Sequence, residues 1–352
     1  MSLKSWYPGL HVLVTGAAGS IGRQLCRQLL GAGIARLDAW DQDEPGLQSL
    51  SSELAGRARA GQIEVCPELR SLFAPGLRQR LSACRPHWVL HAAAYKHVPF
   101  LESQASAAVL NNVAATRRLL RAAATAGVEC FVLISSDKAA GPASVLGASK
   151  RMAELDVRAL AEARAWRAGS VRLVNVLHSR GSVSRIFARQ IAAGSPLTIT
   201  HPDMERYFMT ANQAARAVLA AARALGPGDL LMPPVAPARR ILDLARAMAG
   251  HCGPSSMDLN MRLIGTRPGD RLREPLLGPG ERFHSLPGCR LRKILGPSPE
   301  PFLPWVDQAI AAAESGEEPT TRRILQEFML AIQQPPGCKS ATDSAACMNK
   351  VG

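Results

Sequence analysis

Aromatic side chains make up only 5% of this 352-residue chain, and its 42 Lys and Arg outnumber the 28 Asp and Glu. The basic excess, a net charge of +14, is mostly arginine and is spread along the whole length. Proteins that bind nucleic acid gather their cations on one face or in a tail. Only short clusters occur here, Arg117-Arg118-Arg121 and Arg239-Arg240, with few aromatics near them. The charge reads as dispersed, solvated arginine, and no nucleic-acid partner is expected. A phosphate-rich small ligand would account for a few of the cations.

The eight cysteines (Cys26, Cys66, Cys84, Cys130, Cys252, Cys289, Cys338, Cys347) contain no CxxC pair. That excludes the usual zinc and secreted-disulfide spacings, so reduced thiols and no metal are expected. Long apolar runs are missing too, since none approaches the ~18–20 residues that cross a bilayer. Lys4 leads into a strand instead of the apolar helix of a signal peptide. The expectation is a cytoplasmic protein with no membrane partner. Otherwise the composition is ordinary: 47% hydrophobic and 20% charged residues suit a globular protein with a sizeable core. The length allows one large domain or two small ones.

The first half alternates short apolar runs with Ala/Leu/Arg stretches of helical period, a βαβ rhythm. Strands are expected at His11–Thr15, Ala35–Asp41, Ile63–Val65, Trp88–Ala92, Cys130–Ser135 and Val171–Val176, with helices over about 20–30, 105–126 and 145–165. Strands covered on both faces imply an α/β fold with a Rossmann-like, doubly wound parallel sheet, assigned to residues 1–176. Beyond it, glycine, proline and short strand-like pieces (Leu197–Thr200, Leu230–Met232) interrupt helical stretches. Residues 177–332 are therefore expected to form a smaller C-terminal substrate-binding lobe, with about 209–225 packing back on the first domain. Residues 333–352, polar and rich in small side chains, read as a disordered tail.

Gly16-Ala17-Ala18-Gly19-Ser20-Ile21-Gly22 follows the first strand and opens the first helix. Glycine lets the backbone turn tightly and approach a pyrophosphate, which then sits on the helix N-terminus. Asp41 ends the second strand about twenty residues past this loop. A carboxylate there accepts hydrogen bonds from ribose hydroxyls and repels a 2′-phosphate, which favours NAD over NADP. The alternative is that Asp41 caps a helix in the acidic run Asp41-Gln42-Asp43-Glu44. Ala92, Ala93 and Ala94, after the fourth strand, would let a cofactor approach closely, or would merely pack.

Two further segments carry chemistry: WVLHAAAYKHVPFLE at residues 88–102 and FVLISSDKAAGPASVLGASKRMAE at 131–154. Together they resemble the nucleotide-sugar 4,6-dehydratases of bacterial polysaccharide biosynthesis, the CapD-like branch of the extended short-chain dehydrogenases, including the UDP-N-acetylglucosamine 4,6-dehydratases. VRLVNVLHSRGSV (171–183), QIAAGSPLTITHP (190–202), ERYFMT (205–210) and GTRPGDRLRE (265–274) extend the resemblance, in order and at consistent spacing, over about residues 10–280.

The resemblance implies a lyase that binds a UDP-sugar and NAD, and we expect a homo-oligomer. Dehydration removes hydride from carbon 4, eliminates water across carbons 5 and 6, and returns hydride to carbon 6. Carried over, Asp137 is the acid toward the 6-hydroxyl, Lys138 the base at carbon 5, and Lys150 the holder of the nicotinamide ribose. Adjacent opposite charges in a partly closed site can be tuned toward neutral pH; otherwise Asp137 and Lys138 form a salt bridge that caps a helix. Leu146 stands where most short-chain dehydrogenases have Tyr, four residues before the Lys; membrane-anchored relatives typically have Met there. The 4-hydroxyl proton would go to Asp137, Ser136 or water. Glu68 corresponds to an Asp near the adenine, and Lys96 and His97 would line the sugar pocket, although His97 also suits a core or capping role. Arg180, Arg206 and Arg267 are candidates for the diphosphate and uridine, since a planar guanidinium can bind phosphate bidentately. Asn175 and Glu274 are retained family positions on the substrate side. Val174 and His178 replace glycine, and Pro275 replaces an acidic residue. Rival readings are a 4-epimerase, which usually needs the absent Tyr, a catalytically weak nucleotide-sugar-binding protein, and an NAD module of unrelated purpose.

Overall fold

The computed structural model describes Tyr7 and residues 9–252 and 260–334; beyond Gln334, the tail expected at 333–352 lies outside the described residues. Five residues with Val at alternate positions make β1 (His11–Thr15), and all five are buried. A glycine turn leads into α1 (Ser20–Ala32), whose Leu25, Cys26, Leu29 and Ala32 share a buried face. β2 (Arg36–Asp41), α2 (Glu44–Gly61), β3 (Glu64–Leu69), α3 (Leu77–Cys84) and β4 (Trp88–His91) continue the alternation. After α4 (Val98–Ser103), the long helix expected at 105–126 is divided into α5 (Ala105–Val109), a π-helical turn at Leu110–Ala114 and α6 (Ala115–Thr125). β5 (Cys130–Ser136) runs through a 3-10 turn toward α7 (Val145–Ala163), which starts where the Ser144 hydroxyl accepts from the Gly147 N–H at 3.1 Å. β6 (Ala168–Leu173) completes this half.

The remainder comprises β7 (Asn175–Val176), α8 (Val183–Ala192), β8 (Leu197–Ile199), β9 (Glu205–Arg206), β10 (Phe208–Met209), α9 (Ala211–Ala224), β11 (Leu230–Met232), β12 (Arg239–Arg240) and α10 (Ile241–Cys252). β13 (Met261–Leu263), β14 (Arg282–Ser285), β15 (Arg292–Leu295), α11 (Leu303–Glu314) and α12 (Glu318–Gln333) follow. A reciprocal Thr210–Gln213 capping box starts α9.

Among the described residues, nine strands form the main sheet in the order β14-β15-β11-β6-β5-β4-β1-β2-β3. The seven from β11 to β3 run parallel, while at one edge β15 pairs antiparallel with β11 and β14 antiparallel with β15. Strand order reverses between β1 and β4, the switch point outside which open α/β sheets bind ligands. Helices cover both faces. On one side α1 and α9 pack together over the sheet; on the other, Leu13, Phe131 and Leu133 meet Leu119, Leu120 and Val157. Burying each such Leu or Phe contributes about 1.5–3 kcal/mol.

The expected 177–332 lobe is divided. Phe187, Leu197, Ile199, Met204, Ile241 and Ala245 make a small separate core from α8, β8, α10 and the loop before β9. By contrast β11, β14 and β15 extend the main sheet, α9 packs on α1, and α11 and α12 pack on α5 and α7. The reason lies in apolar faces too large for the small core: Phe302, Val306, Leu325 and Phe328 are nearly inaccessible against Val109, Leu146 and Met152. The sixth strand ends at Leu173, and Asn175–Val176 leaves the sheet to pair with β10.

Candidate functional site

The glycine loop follows β1 at the carboxyl end of the sheet. Gly16 has a positive φ of 66°, and a Cβ there would sit 2.5 Å from the Ala93 nitrogen and 2.7 Å from the Ala92 carbonyl carbon. Any side chain at Gly22 would collide with the Gly16 carbonyl. The first glycine thus serves the turn against the Ala92–Ala94 segment, and the last serves close helix–strand packing. Gly19 precedes α1 without a side-chain cap among the described residues, so the first N–H groups of Ser20, Ile21 and Gly22 can meet an anion. These residues fit a dinucleotide pyrophosphate.

Asp41 accepts from the Ala18 N–H at 2.8 Å and from the Asp43 N–H at 3.0 Å, so its carboxylate braces the loop. The helix cap in this acidic run is Asp43, which accepts from the Gly46 N–H at 3.1 Å, and the capping alternative for Asp41 falls away. Glu68 is engaged elsewhere: one carboxylate oxygen pairs with Arg70 and the other with Arg80 at 2.7 Å. Both its oxygens have partners, whatever an adenine would add.

At the end of β5 the chain places Ser136, Asp137 and Lys138 in sequence. Asp137 is fully buried, with Oδ1 accepting from the Ser136 hydroxyl at 2.9 Å and from Lys138 Nζ at 3.1 Å. Its Oδ2 is buried without a hydrogen-bond partner among the described residues. The 3-10 turn is capped by Ser136 and not by Asp137, so the dipeptide's carboxylate is not spent on a helix end. Lys138 Nζ also lies 3.3 Å from Asn175 Oδ1 and 3.7 Å from Glu274 Oε1. Glu274 in turn is 3.8 Å from Arg206, and both are largely buried. Segments separated by more than a hundred residues therefore converge on one ammonium group.

Lys150, one turn after Leu146 on α7, is buried and donates to the Ile134 carbonyl at 2.6 Å. Burial lowers its pKa to about 8, against a smaller opposing pull from Glu154. Leu146 is buried in the apolar cluster with α5, α11 and α12. Nearby His91, fully buried between the hydroxyls of Thr15 and Thr116, is pushed by burial down to about 3 and stays neutral.

The remaining expected positions separate into two groups. Lys96 donates to the Arg180 carbonyl at 2.6 Å, and the His97 ring lies against Gly181. His97 occupies the cap position of α4 without a capping bond and is exposed, which removes the core and capping roles considered for it. Arg180 is not with Arg206: its guanidinium pairs with Asp43 and donates to the Ala18 carbonyl at 2.8 Å, beside the glycine loop. Arg267 is half exposed and turns onto Asp270, 3.4 Å away. The turn it belongs to packs Gly269 against Glu102, Val98 and Ser144.

Two features escaped the sequence reading. Asn112, in the π-helical turn, clamps both the N–H and the carbonyl of Tyr95 (2.8 and 3.1 Å) and reaches the Ser149 hydroxyl. A buried network joins Arg172 to Glu154 and Glu281, with Arg151 on both carboxylates. Neither had a local signature beyond a polar residue inside an apolar run.

The family described as "Polysaccharide biosynthesis protein" matches residues 12–288. The chain is 38% identical over 325 residues to the probable polysaccharide biosynthesis protein EpsC of Bacillus subtilis, covering 91% of this chain and 51% of that one. It thus spans about half the length of that curated relative. A UDP-N-acetylglucosamine 4,6-dehydratase (inverting) of Campylobacter jejuni is 30% identical over 76% of this chain and 77% of that protein. A UDP-glucose 4-epimerase of Rickettsia rickettsii is also 30% identical, over 77% and 78%. Among solved structures, Pen from Bacillus thuringiensis superposes with a TM-score of 0.74 at 26% identity, covering 84% of this chain and 89% of that one. MoeE5 in complex with UDP-glucose and NAD gives 0.62 at 25%, over 74% and 87%. Among the described residues no helix is long and apolar enough to cross a membrane.

Proposed function

The chain belongs to the polysaccharide biosynthesis protein family, and on that premise we propose that it is an NAD-dependent nucleotide-sugar 4,6-dehydratase, a lyase acting on UDP-N-acetylglucosamine. The dinucleotide is NAD: the glycine turn accepts a pyrophosphate, and Asp41 beside it disfavours a 2′-phosphate. When bound, NAD supplies reversible hydride transfer at the sugar. Lys150 would hold the nicotinamide ribose.

The observation that carries the reading is the buried, unpartnered Oδ2 of Asp137 next to the Lys138 ammonium. An unpaired buried carboxylate oxygen is costly unless something completes it, and a sugar hydroxyl would do so. Elimination needs an acid for the departing 6-hydroxyl and a base at carbon 5. Asp137 serves as the acid once it carries a proton, and Lys138 serves as the base once it has lost one; a proton moving from Lys138 to Asp137 would produce both states. Asn175 and Glu274 orient the ammonium, and Arg206 and Arg267 would face the diphosphate or uridine. With Leu146 unable to exchange a proton, the 4-hydroxyl proton passes to Asp137, Ser136 or water.

The 4-epimerase reading has a relative of equal identity in its favour. It lacks a phenol at Leu146 and gives Asp137-Lys138 no elimination to perform. Mass spectrometry of the purified protein with UDP-N-acetylglucosamine separates the two. A product lighter by one water is expected; an isomer of unchanged mass would establish the epimerase, and no turnover of any nucleotide sugar would establish a binding protein.

A further inference from the structure

We infer that Arg180 is a clamp on the pyrophosphate of the bound NAD, and not a ligand of the sugar nucleotide's diphosphate. The inference rests on the NAD reading of the glycine loop and is independent of the dehydratase assignment.

Residues 178–182 form a strap across the mouth of the cofactor loop. His178 and Gly181, with φ of 55° and 69°, turn the chain at either side of Arg180. The Arg180 N–H donates to the Ser20 hydroxyl at 3.0 Å, and its guanidinium reaches the Ala18 carbonyl and the Asp43 carboxylate. From the other side Lys96 holds the strap through the Arg180 carbonyl and, at 3.3 Å, the Ser179 hydroxyl. Every partner of the Arg180 guanidinium among the described residues thus belongs to the glycine loop or to the segment that follows Asp41. No described contact joins Arg180 to Lys138, Arg206 or Glu274.

Burial disfavours the charge of Lys96, and the neighbouring Arg180 and Arg185 act in the same direction. Asp43 is the carboxylate that meets Arg180. Through its bond to Ser20, Arg180 stands at the N-terminus of α1, where a dinucleotide pyrophosphate would rest. A half-exposed guanidinium at this position can bridge Asp43 and a phosphate oxygen, closing the strap over the cofactor. Retention has a chemical use: a reaction that ends with NAD in its starting oxidation state gains nothing from releasing it.

The test compares the whole protein with Arg180→Ala and Arg180→Lys by two readouts that need no turnover. One is the rate of NAD release into excess competing nucleotide; the other is UDP affinity by calorimetry on NAD-loaded protein. Arg180→Ala is expected to release NAD ~10–100-fold faster, the size of a lost charge-assisted contact. Arg180→Lys should fall between it and the native protein, because a point charge replaces the fork. UDP affinity should stay within about twofold of native, since no phosphate contact is lost. NAD release within twofold of native would overturn the inference, as would a tenfold loss of UDP affinity with NAD release unchanged, which would return Arg180 to the substrate. Loss of folding in Arg180→Ala leaves Arg180→Lys to decide: faster NAD release supports the clamp and native release refutes it.

Discussion

Two buried clusters of acid and base differ in how completely their charges are paired. Around Arg172, every charge is answered: Glu154 and Glu281 each pair with both Arg172 and Arg151, Glu154 also accepts from Ser135, and Glu281 accepts from the Gly278 N–H. Around Lys138, one carboxylate oxygen of Asp137 has no partner among the described residues, and Glu274 stands at 3.7 Å from the ammonium instead of in close contact. A satisfied network holds a fold together; it pins the 278–285 segment to β6 and α7. An unsatisfied one keeps hydrogen-bonding capacity for a ligand. On the proposed function, degree of satisfaction, more than residue type or burial, would separate structural from chemical charge.

Substitutions in each cluster test that contrast, and the largest effect should come from the unsatisfied one. Asp137→Asn and Lys138→Met preserve approximate size, so each should fold and keep NAD while dehydration falls ~10²–10⁴-fold. Lys138→Met should also suppress solvent-deuterium exchange at carbon 5. Native-like turnover in both variants would erase the distinction between the clusters.

Breaking the satisfied cluster should instead be felt in stability. Arg172→Met leaves two buried carboxylates to share Arg151 alone and is expected to cost about 3–5 kcal/mol in denaturant unfolding. Retained stability would mean that the network is dispensable.

The same network has a pH signature. Burial alone would raise the Glu281 carboxyl, but Arg151 and Arg172 hold it down at about 2, below its ordinary 4.5. A carboxyl depressed on folding stabilises the protein above its unfolded pKa. That contribution, about 3 kcal/mol, should disappear as pH falls from about 4.5 to about 2. Glu281→Gln should flatten this part of the stability profile; a profile identical to native would exclude the depressed carboxyl.

The smallest expected effect is at Leu146, whose side chain belongs to the apolar cluster and to neither charged one. Leu146→Tyr overpacks this site and should cost about 1–3 kcal/mol in stability, with turnover changed far less than in the Asp137 and Lys138 variants. A large gain in rate would show that the phenol's place is still open to the substrate.

The parallel half of the fold was legible because its signals are local. Buried strands such as His11–Thr15 and Cys130–Ser136, a glycine turn and a helical period each lie within a dozen residues. The spacing of Lys150 after Leu146 likewise lies within one helix turn. The second half was less legible because small apolar segments do not announce their partners. Leu230–Met232 looks alike whether it joins a lobe or the main sheet, and only the match to β6 and β15 decides.

Charge partners are harder still to read, since ion pairs form between residues brought together by folding. Arg172 meets Glu281 across 109 residues and Arg180 meets Asp43 across 137. In the sequence Arg180 and Arg206 looked alike, both arginines in matched motifs. The turn at His178 and Gly181 carries one to the glycine loop, while β9 leaves the other beside Glu274. The chain's local chemistry determined which elements form and which groups can react. The direction of each backbone turn, a three-dimensional property, decided which charges meet and which oxygen of Asp137 has no partner among the described residues.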